Sequence, residues 1–148
     1  MSNLVGVDQA MNLPTRFNPT GDVTLTADTE ILIVTTTTAI VPLTNGLYAP
    51  RVRGSLAFLM GATAATALVV AFRFNGGTDI STYTVAPALL ANNATIQIPF
   101  ELIGANSLSD WSGAGKIIEI TAKASTTAAT LKQVGSYSFI DLIRGPNA

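Results

Sequence analysis

The sequence predicts an all-β protein: an antiparallel eight-stranded β-sandwich, with a jelly roll as its leading topology, preceded by an extended N-terminal arm. Three observations predict it. β-Branched and aromatic residues recur in runs of five to ten with period-two alternation, clusters of Gly, Pro, Asn and Ser separate the runs, and no long amphipathic helix is available to cover a sheet. A chain of 148 residues gives one domain and one core.

Residues 1–22 form the expected arm, ahead of a sandwich domain spanning residues 23–148. The arm mixes Leu4, Val5, Val7, Met11, Leu13 and Phe17 with Asn, Gln, Pro14 and Pro19, and sustains neither the helical nor the strand period. Its charges before Asp22 are Asp8 and Arg16, so it is unlike the basic arms that condense nucleic acid. Its apolar residues need a surface to cover, either on their own domain or on a neighbouring subunit. Leu4, Val5, Met11, Leu13 and Phe17 are the candidate interface residues of this segment.

Eight strands are expected at residues 23–26, 30–37, 51–60, 67–74, 81–86, 94–101, 116–124 and 134–144. In the third, Val52, Leu56, Phe58 and Met60 share a face against Arg51, Arg53 and Ser55. In the fourth, Leu68, Val70, Phe72 and Phe74 oppose Val69, Ala71 and Arg73. This alternation also settles residues 54–72, an uncharged run of 19 just long enough to span a bilayer as a helix, in favour of two strands. In the sixth strand, Ile96, Ile98 and Phe100 oppose Thr95, Gln97, Pro99 and Glu101. Pro99 lacks an amide hydrogen and so belongs on an edge or at a bulge. In the seventh, Ile118, Ile120, Ala122 and Ala124 oppose Ile117, Glu119, Thr121 and Lys123. The stretch Pro-Ala-Leu-Leu-Ala at 87–91 is a turn at most. Two similar segments, GATAAT before LVVAFRF and STTAAT before LKQVGSYSF, read as hairpin loops at one end of the sandwich. Strand order is not encoded in alternation, which leaves an immunoglobulin-like sandwich as the alternative to a jelly roll.

Composition narrows function by exclusion. No His and no Cys means no disulfide, no thiolate or imidazole metal site, no Cys nucleophile and no His general base. Eight basic against nine acidic residues leave a net charge of −1, so the electrostatic footprint of a nucleic-acid binder is missing. The first ten residues have no basic n-region and no long apolar run, which makes synthesis in a cytoplasm the expectation.

The remaining candidates for chemistry each meet an ordinary reading. Gly113-Ala114-Gly115-Lys116 falls short of a phosphate loop, because Asp110 and Ile117 stand where Gly and Ser or Thr are needed and a strand comes next. Asp79, Glu101, Asp110 and Glu119 show no spacing that selects a glycosidase pair. Segment 75–79 carries oxygen ligands but lacks the acidic density of a calcium loop, and a hairpin turn explains it. Trp111, the one Trp, sits in a polar loop as a lid over one end of the core, an interface anchor or a sugar platform. No catalytic residue, cofactor or metal site is expected, and the chain does not read as an enzyme.

The surface points elsewhere. Only 11% of the residues are charged, and 20 Thr, 21 Ala, 9 Ser and 9 Asn replace them. Such side chains lose little entropy when immobilised, so large contacts form at modest cost. The phrases VTLTADTEILIVTT, YAPRVRGSLAFLMGATAATALVVAFRF and IIEITAKASTTAATLKQVGSYSFIDLI resemble those of small jelly-roll capsid decoration proteins of tailed bacteriophages, over about residues 23–144. The resemblance implies a homotrimer on the capsid exterior of a virion, bound to the major capsid protein, cementing coat-subunit contacts without nucleic acid, membrane or cofactor. Two other readings stay open: a fibre-tip, receptor- or carbohydrate-binding head that uses Trp111 and segment 75–79, and a self-assembling coat protein.

Overall fold

A computed structural model describes residues 15–36, 39–41, 46–63, 65–75, 77, 79–104, 109–110, 115–125 and 129–144. In chain order the strands are β1 (Thr15–Phe17), β2 (Val23–Thr24), β3 (Ile31–Thr35), β4 (Leu47–Met60), β5 (Leu68–Phe74), β6 (Asp79–Thr84), β7 (Thr95–Ile103), β8 (Ser109–Asp110), β9 (Ile118–Ala124) and β10 (Ala129–Arg144). A single 3-10 turn at Pro87–Leu89 interrupts them, within the stretch expected to be a turn. All eight expected strands are present, and the very short β1 and β8 are additions.

Sheet A runs β1-β10-β4-β7, with β2 also on β10 and β8 on β4, while sheet B runs β3-β9-β5-β6. The pairings nest: β5 with β6, β4 with β7, β3 with β9, and β1 and β2 with β10, all antiparallel. The chain is thus one long hairpin, closed near Phe74 and folded over so that successive arms alternate between sheets. This is a jelly roll, and its nesting excludes the immunoglobulin-like alternative.

The core is made by the faces that alternation assigns. Val52, Leu56 and Phe58 of β4, Leu68, Val70 and Phe72 of β5, Ile118 and Ile120 of β9, and Leu131 and Ile140 of β10 are fully buried between the sheets. Pro99 lies in β7, the edge strand of sheet A, where its missing donor breaks no inner ladder. No helix among the described residues is long and apolar enough to cross a membrane.

Two expectations are corrected. GATAAT and STTAAT are not hairpin loops, because β4 and β5 lie in different sheets, as do β9 and β10. Each segment leads the chain from one sheet to the other. The two crossings meet where Ser125 Oγ, at the start of the second, accepts from the N–H groups of Thr66 (2.9 Å) and Ala67 (3.2 Å) at the end of the first. The last strand also begins at Ala129 and not at Val134. Its register against β4 breaks between Lys132 and Tyr137, opposite Ala57 and Ser55, and this bulge reverses its parity. Ala129 and Leu131 face inward before it; Ser138, Ile140 and Leu142 face inward after it.

The sheet itself starts before residue 23. Thr15–Phe17 pairs with Ile140 to Ser138, Phe17 is buried in its own core, and its carbonyl accepts the Ser138 hydroxyl. Of the two alternatives for the arm's apolar residues, Phe17 takes the first and covers its own domain. Leu4, Val5, Met11 and Leu13 lie outside the described residues.

Gly54 shows how closely the central strands approach. A Cβ built there lies 2.1 Å from the Tyr137 carbonyl oxygen and 2.8 Å from Ser138 Cα, both backbone atoms that cannot step aside. Gly54→Ala is therefore expected to cost about 3 kcal/mol in a urea titration. Gly21→Ala, where nothing lies within 4 Å, is expected to stay within about 0.5 kcal/mol.

Candidate functional site: the outer face of sheet A

The two outer faces of the sandwich differ in kind. On sheet B, Arg73 Nε donates to Glu119 (2.9 Å) and its Nη1 to Glu30 (2.8 Å), with Asp79 paired opposite Arg73 on the next strand. The neighbouring outward positions on β6 are Thr82 and Thr84. This is an ordinary solvated sheet face, with Leu32 as its one exposed large apolar residue among the described residues.

Sheet A is different. Cross-strand register puts Arg16, Phe139, Arg53 and Glu101 in one row across β1, β10, β4 and β7. The next row toward the bulge is Tyr137, Ser55 and Pro99, and the row on the other side is Asp141, Arg51 and Ile103. Leu59, Ile103, Tyr137 and Ile143, all outward by parity, are between 38% and 42% exposed. The Tyr137 and Phe139 rings meet edge to face at 6.0 Å. Together with Arg53, Pro99 and Glu101 of the same face, with the inward-facing positions Gly54 and Phe100, and with Tyr83 of β6 at the edge of sheet B, they line a shallow groove of about 640 Å³.

The charges on this face are largely turned on one another. Arg51 forks onto Asp141, Nε at 2.9 Å from Oδ1 and Nη2 on Oδ2, and Arg53 approaches the same carboxylate at 3.9 Å. Asp141 is buried, and the hydrogen bond to it raises the Arg51 pKa above its ordinary value. A fork of this kind leaves little net charge to attract counter-ions.

The β10 bulge stands on the same face as a braced ridge. Ser136 Oγ accepts from Ala57 N–H (2.9 Å) and donates to the Lys132 carbonyl (2.6 Å). Gln97 Nε2 donates to Ser55 Oγ (2.7 Å) and to the Gly135 carbonyl (2.8 Å). Asp22 pairs with Lys132 and accepts from Gln133 N–H (2.8 Å), which hold its carboxyl below the ordinary carboxylate value. Gly135 supplies the positive φ of +89° that the turn needs. At the tip, Val134 is 85% exposed. A β-branched apolar side chain held out on five hydrogen bonds and an ion pair is a feature for contact.

The residues singled out by the sequence are scattered over the fold. Phe17 is in the core, and Trp111 lies outside the described residues along with the other arm residues. Segment 75–79 connects β5 to β6, with Gly77 N–H donating to the Phe74 carbonyl as a hairpin turn does. Lys116 precedes strand β9 and sits 5.1 Å over the Phe74 ring, so no helix comes after the glycines. Among the acidic candidates, Glu101 is on sheet A while Asp79 and Glu119 flank Arg73 on sheet B. The described residues hold no group of three or more acidic ligands placed for a metal. Sequence reasoning missed the Tyr137, Phe139, Pro99 and Ile103 surface. Its one signal was that residues 137–143 are apolar on both faces of the strand.

Fold and surface together define a single jelly-roll domain with one polar face and one braced face on which exposed aromatic and aliphatic side chains stand beside paired charges. No protein-family model and no curated protein matches the sequence. Among solved structures, the chain is similar to the infectious bursal disease virus VP2 subviral particle, with a TM-score of 0.53 and 14% identity over 90% of this chain. It is similar also to the structure of the Gx strain of that virus, with a TM-score of 0.54 and 14% identity over 93% of this chain. The chain spans about a third of the length of these structures, 33% and 34%. What they share with it is the fold.

Two predictions test the electrostatic contrast. Arg51→Ala leaves the buried Asp141 with only the more distant Arg53, and is expected to cost about 2 kcal/mol by urea titration, less in the double variant with Asp141→Ala. On sheet B, partial desolvation first, then the charge and hydrogen bond of Glu30, raise the pKa of the exposed Asp79 carboxyl above its ordinary value. A raised folded-state value stabilises fully at low pH and is lost as pH rises through it. Asp79→Asn is expected to raise the urea midpoint at pH 7 and to leave it unchanged at pH 3.

Proposed function

We propose that this chain is a viral structural protein: a decoration protein on the outer surface of a phage head, assembled as a homotrimer and bound to the major capsid protein. The observation that carries the reading is the outer face of sheet A, where aromatic and aliphatic side chains stay exposed beside a ridge stabilised by its own hydrogen bonds. Three of its properties support permanent assembly. The face exposes aromatic and aliphatic side chains, its buried charge is paired internally, and the ridge is braced by its own hydrogen bonds, so little entropy is lost on contact. The mechanism is interface burial: copies cover one another's apolar faces, and the assembly covers seams between coat subunits, so that disassembly must break both sets of contacts. The arm residues Leu4, Val5, Met11 and Leu13 belong to these contacts, and no catalytic step is involved.

The aromatic groove with Arg53 and Glu101 on its wall favours one second reading, a receptor- or carbohydrate-binding head, since stacking rings beside charged hydrogen-bonding groups also suit a sugar.

Light scattering tests the assembly and co-sedimentation with the heads of the encoding virus tests the partner. The expected mass is three times 15.3 kDa, equal at low and high salt because the contacts are apolar. Tyr137→Glu with Ile103→Glu is expected to shift it toward the single-chain mass and to reduce binding to heads at least tenfold. A salt-independent single-chain mass together with groove-dependent binding in a glycan screen overturns the decoration reading in favour of the second. Closed particles formed without another coat protein overturn it in favour of a shell-forming role.

A further inference from the structure

We infer that the groove on the outer face of sheet A receives residues 1–14 of a second copy of this chain. The inference rests on sheet A being an assembly face, and not on what the assembly then binds. Groove and segment are complementary in composition. The groove offers Tyr137, Phe139 and Pro99, and the two charged rows of the face carry Arg16, Arg51 and Arg53 against Glu101 and Asp141, one positive charge in excess once the Arg51–Asp141 fork is counted. Residues 1–14 carry Leu4, Val5, Val7, Met11 and Leu13, with Asp8 as their one charged side chain. Apolar meets apolar, and the one carboxylate meets the cationic excess.

The position and direction of β1 decide for a second copy. Thr15 pairs with Ile140 and Phe17 with Ser138, so a chain followed backwards from Phe17 to Thr15 advances toward the Arg144 end of β10. That is away from Tyr137 and the bulge. To reach its own groove the segment must reverse and cross β10, whereas onward travel from the edge of the sheet leads to a neighbour. Length allows it: fourteen extended residues reach about 46 Å, while the groove from β10 to β7 spans two strand spacings, about 10 Å. A segment given to a neighbour also closes naturally in a ring, where each copy donates one arm and accepts another.

The full chain has no Cys, so pairs of introduced thiols report the contact without background. Met11→Cys and Tyr137→Cys are made separately, mixed, and oxidised gently at assembly concentration. The expected product is a covalent pair of different chains, formed at least tenfold faster than when Tyr137→Cys is replaced by Lys123→Cys on sheet B. Maleimide labelling of Tyr137→Cys is expected to be at least tenfold slower in the otherwise unchanged chain than in one also carrying Leu4→Ser, Val5→Ser, Met11→Ser and Leu13→Ser. Equal urea midpoints confirm that these variants are folded. A bond formed only within one chain carrying both thiols, at a rate independent of concentration, overturns the second copy as donor. Equal labelling with no cross-link overturns the groove as receptor. Failure to bind heads overturns the capsid role and leaves this contact standing.

Discussion

The pairing of β4 with β10 is the constraint on which the rest of the molecule depends. These are the two longest strands, 14 and 16 residues, and every other strand of sheet A hangs on one of them. Their inward residues supply the middle of the core, and their outward residues supply the forked Arg51–Asp141 pair and one long wall of the groove, Arg53, Tyr137 and Phe139. The close approach at Gly54 lets Tyr137 and Ser138 settle onto β4 immediately after the bulge. A side chain there would push the strands apart at the point where register resumes.

The bulge then solves a problem of parity. A strand with period two presents odd residues to one side along its whole length unless residues are added or removed. β10 buries Leu131 at one end and Ile140 at the other, positions of opposite parity, and the residues between Lys132 and Tyr137 make both possible. The same arch would strand backbone groups on the sheet surface. Ser136, Gln97 and Asp22 answer those groups one by one, and two of the three come from other strands or loops. A register correction has become a rigid surface feature.

Parity also separates the elements that were legible in the sequence from those that were not. Strands such as β5, β7 and β9 announce themselves because one parity runs through each; in β7 burial alternates with it, while β5 and β9, inside sheet B, also bury the outward Ala71, Glu119 and Thr121. The first third of β10 was lost because its parity reverses at the bulge, so that ATLK, set in the frame of residues 137–144, reads as loop. β1 and β8 have three and two residues, too few to show any period. The GATAAT and STTAAT segments looked like hairpins because alternation tells which face a residue occupies and not which sheet its strand joins. That choice is made by long-range pairing, as between Met60 and Ala129 and between Leu68 and Ala124. The groove was hidden for the same reason: Tyr137, Arg53 and Pro99 lie far apart in the chain and meet only through register.

The low charge content takes on a structural meaning in this light. Among the described residues, Arg51 is committed to Asp141, Arg73 to Glu119 and Glu30, Lys132 to Asp22, and Lys116 lies over Phe74. Four of the eight basic side chains therefore act within the chain, bracing a strand pair or a bulge, which leaves fewer to advertise the surface to charged partners. Thr, Ser and Asn keep the exterior polar in their place; they hydrate well yet give up little entropy on contact. A soluble sheet face built this way holds its apolar side chains exposed without long-range electrostatic guidance. Complementarity of shape at the groove and ridge must then supply the selectivity that charge patterns supply elsewhere, and the hydrogen bonds at the bulge and the Arg51–Asp141 fork hold that shape.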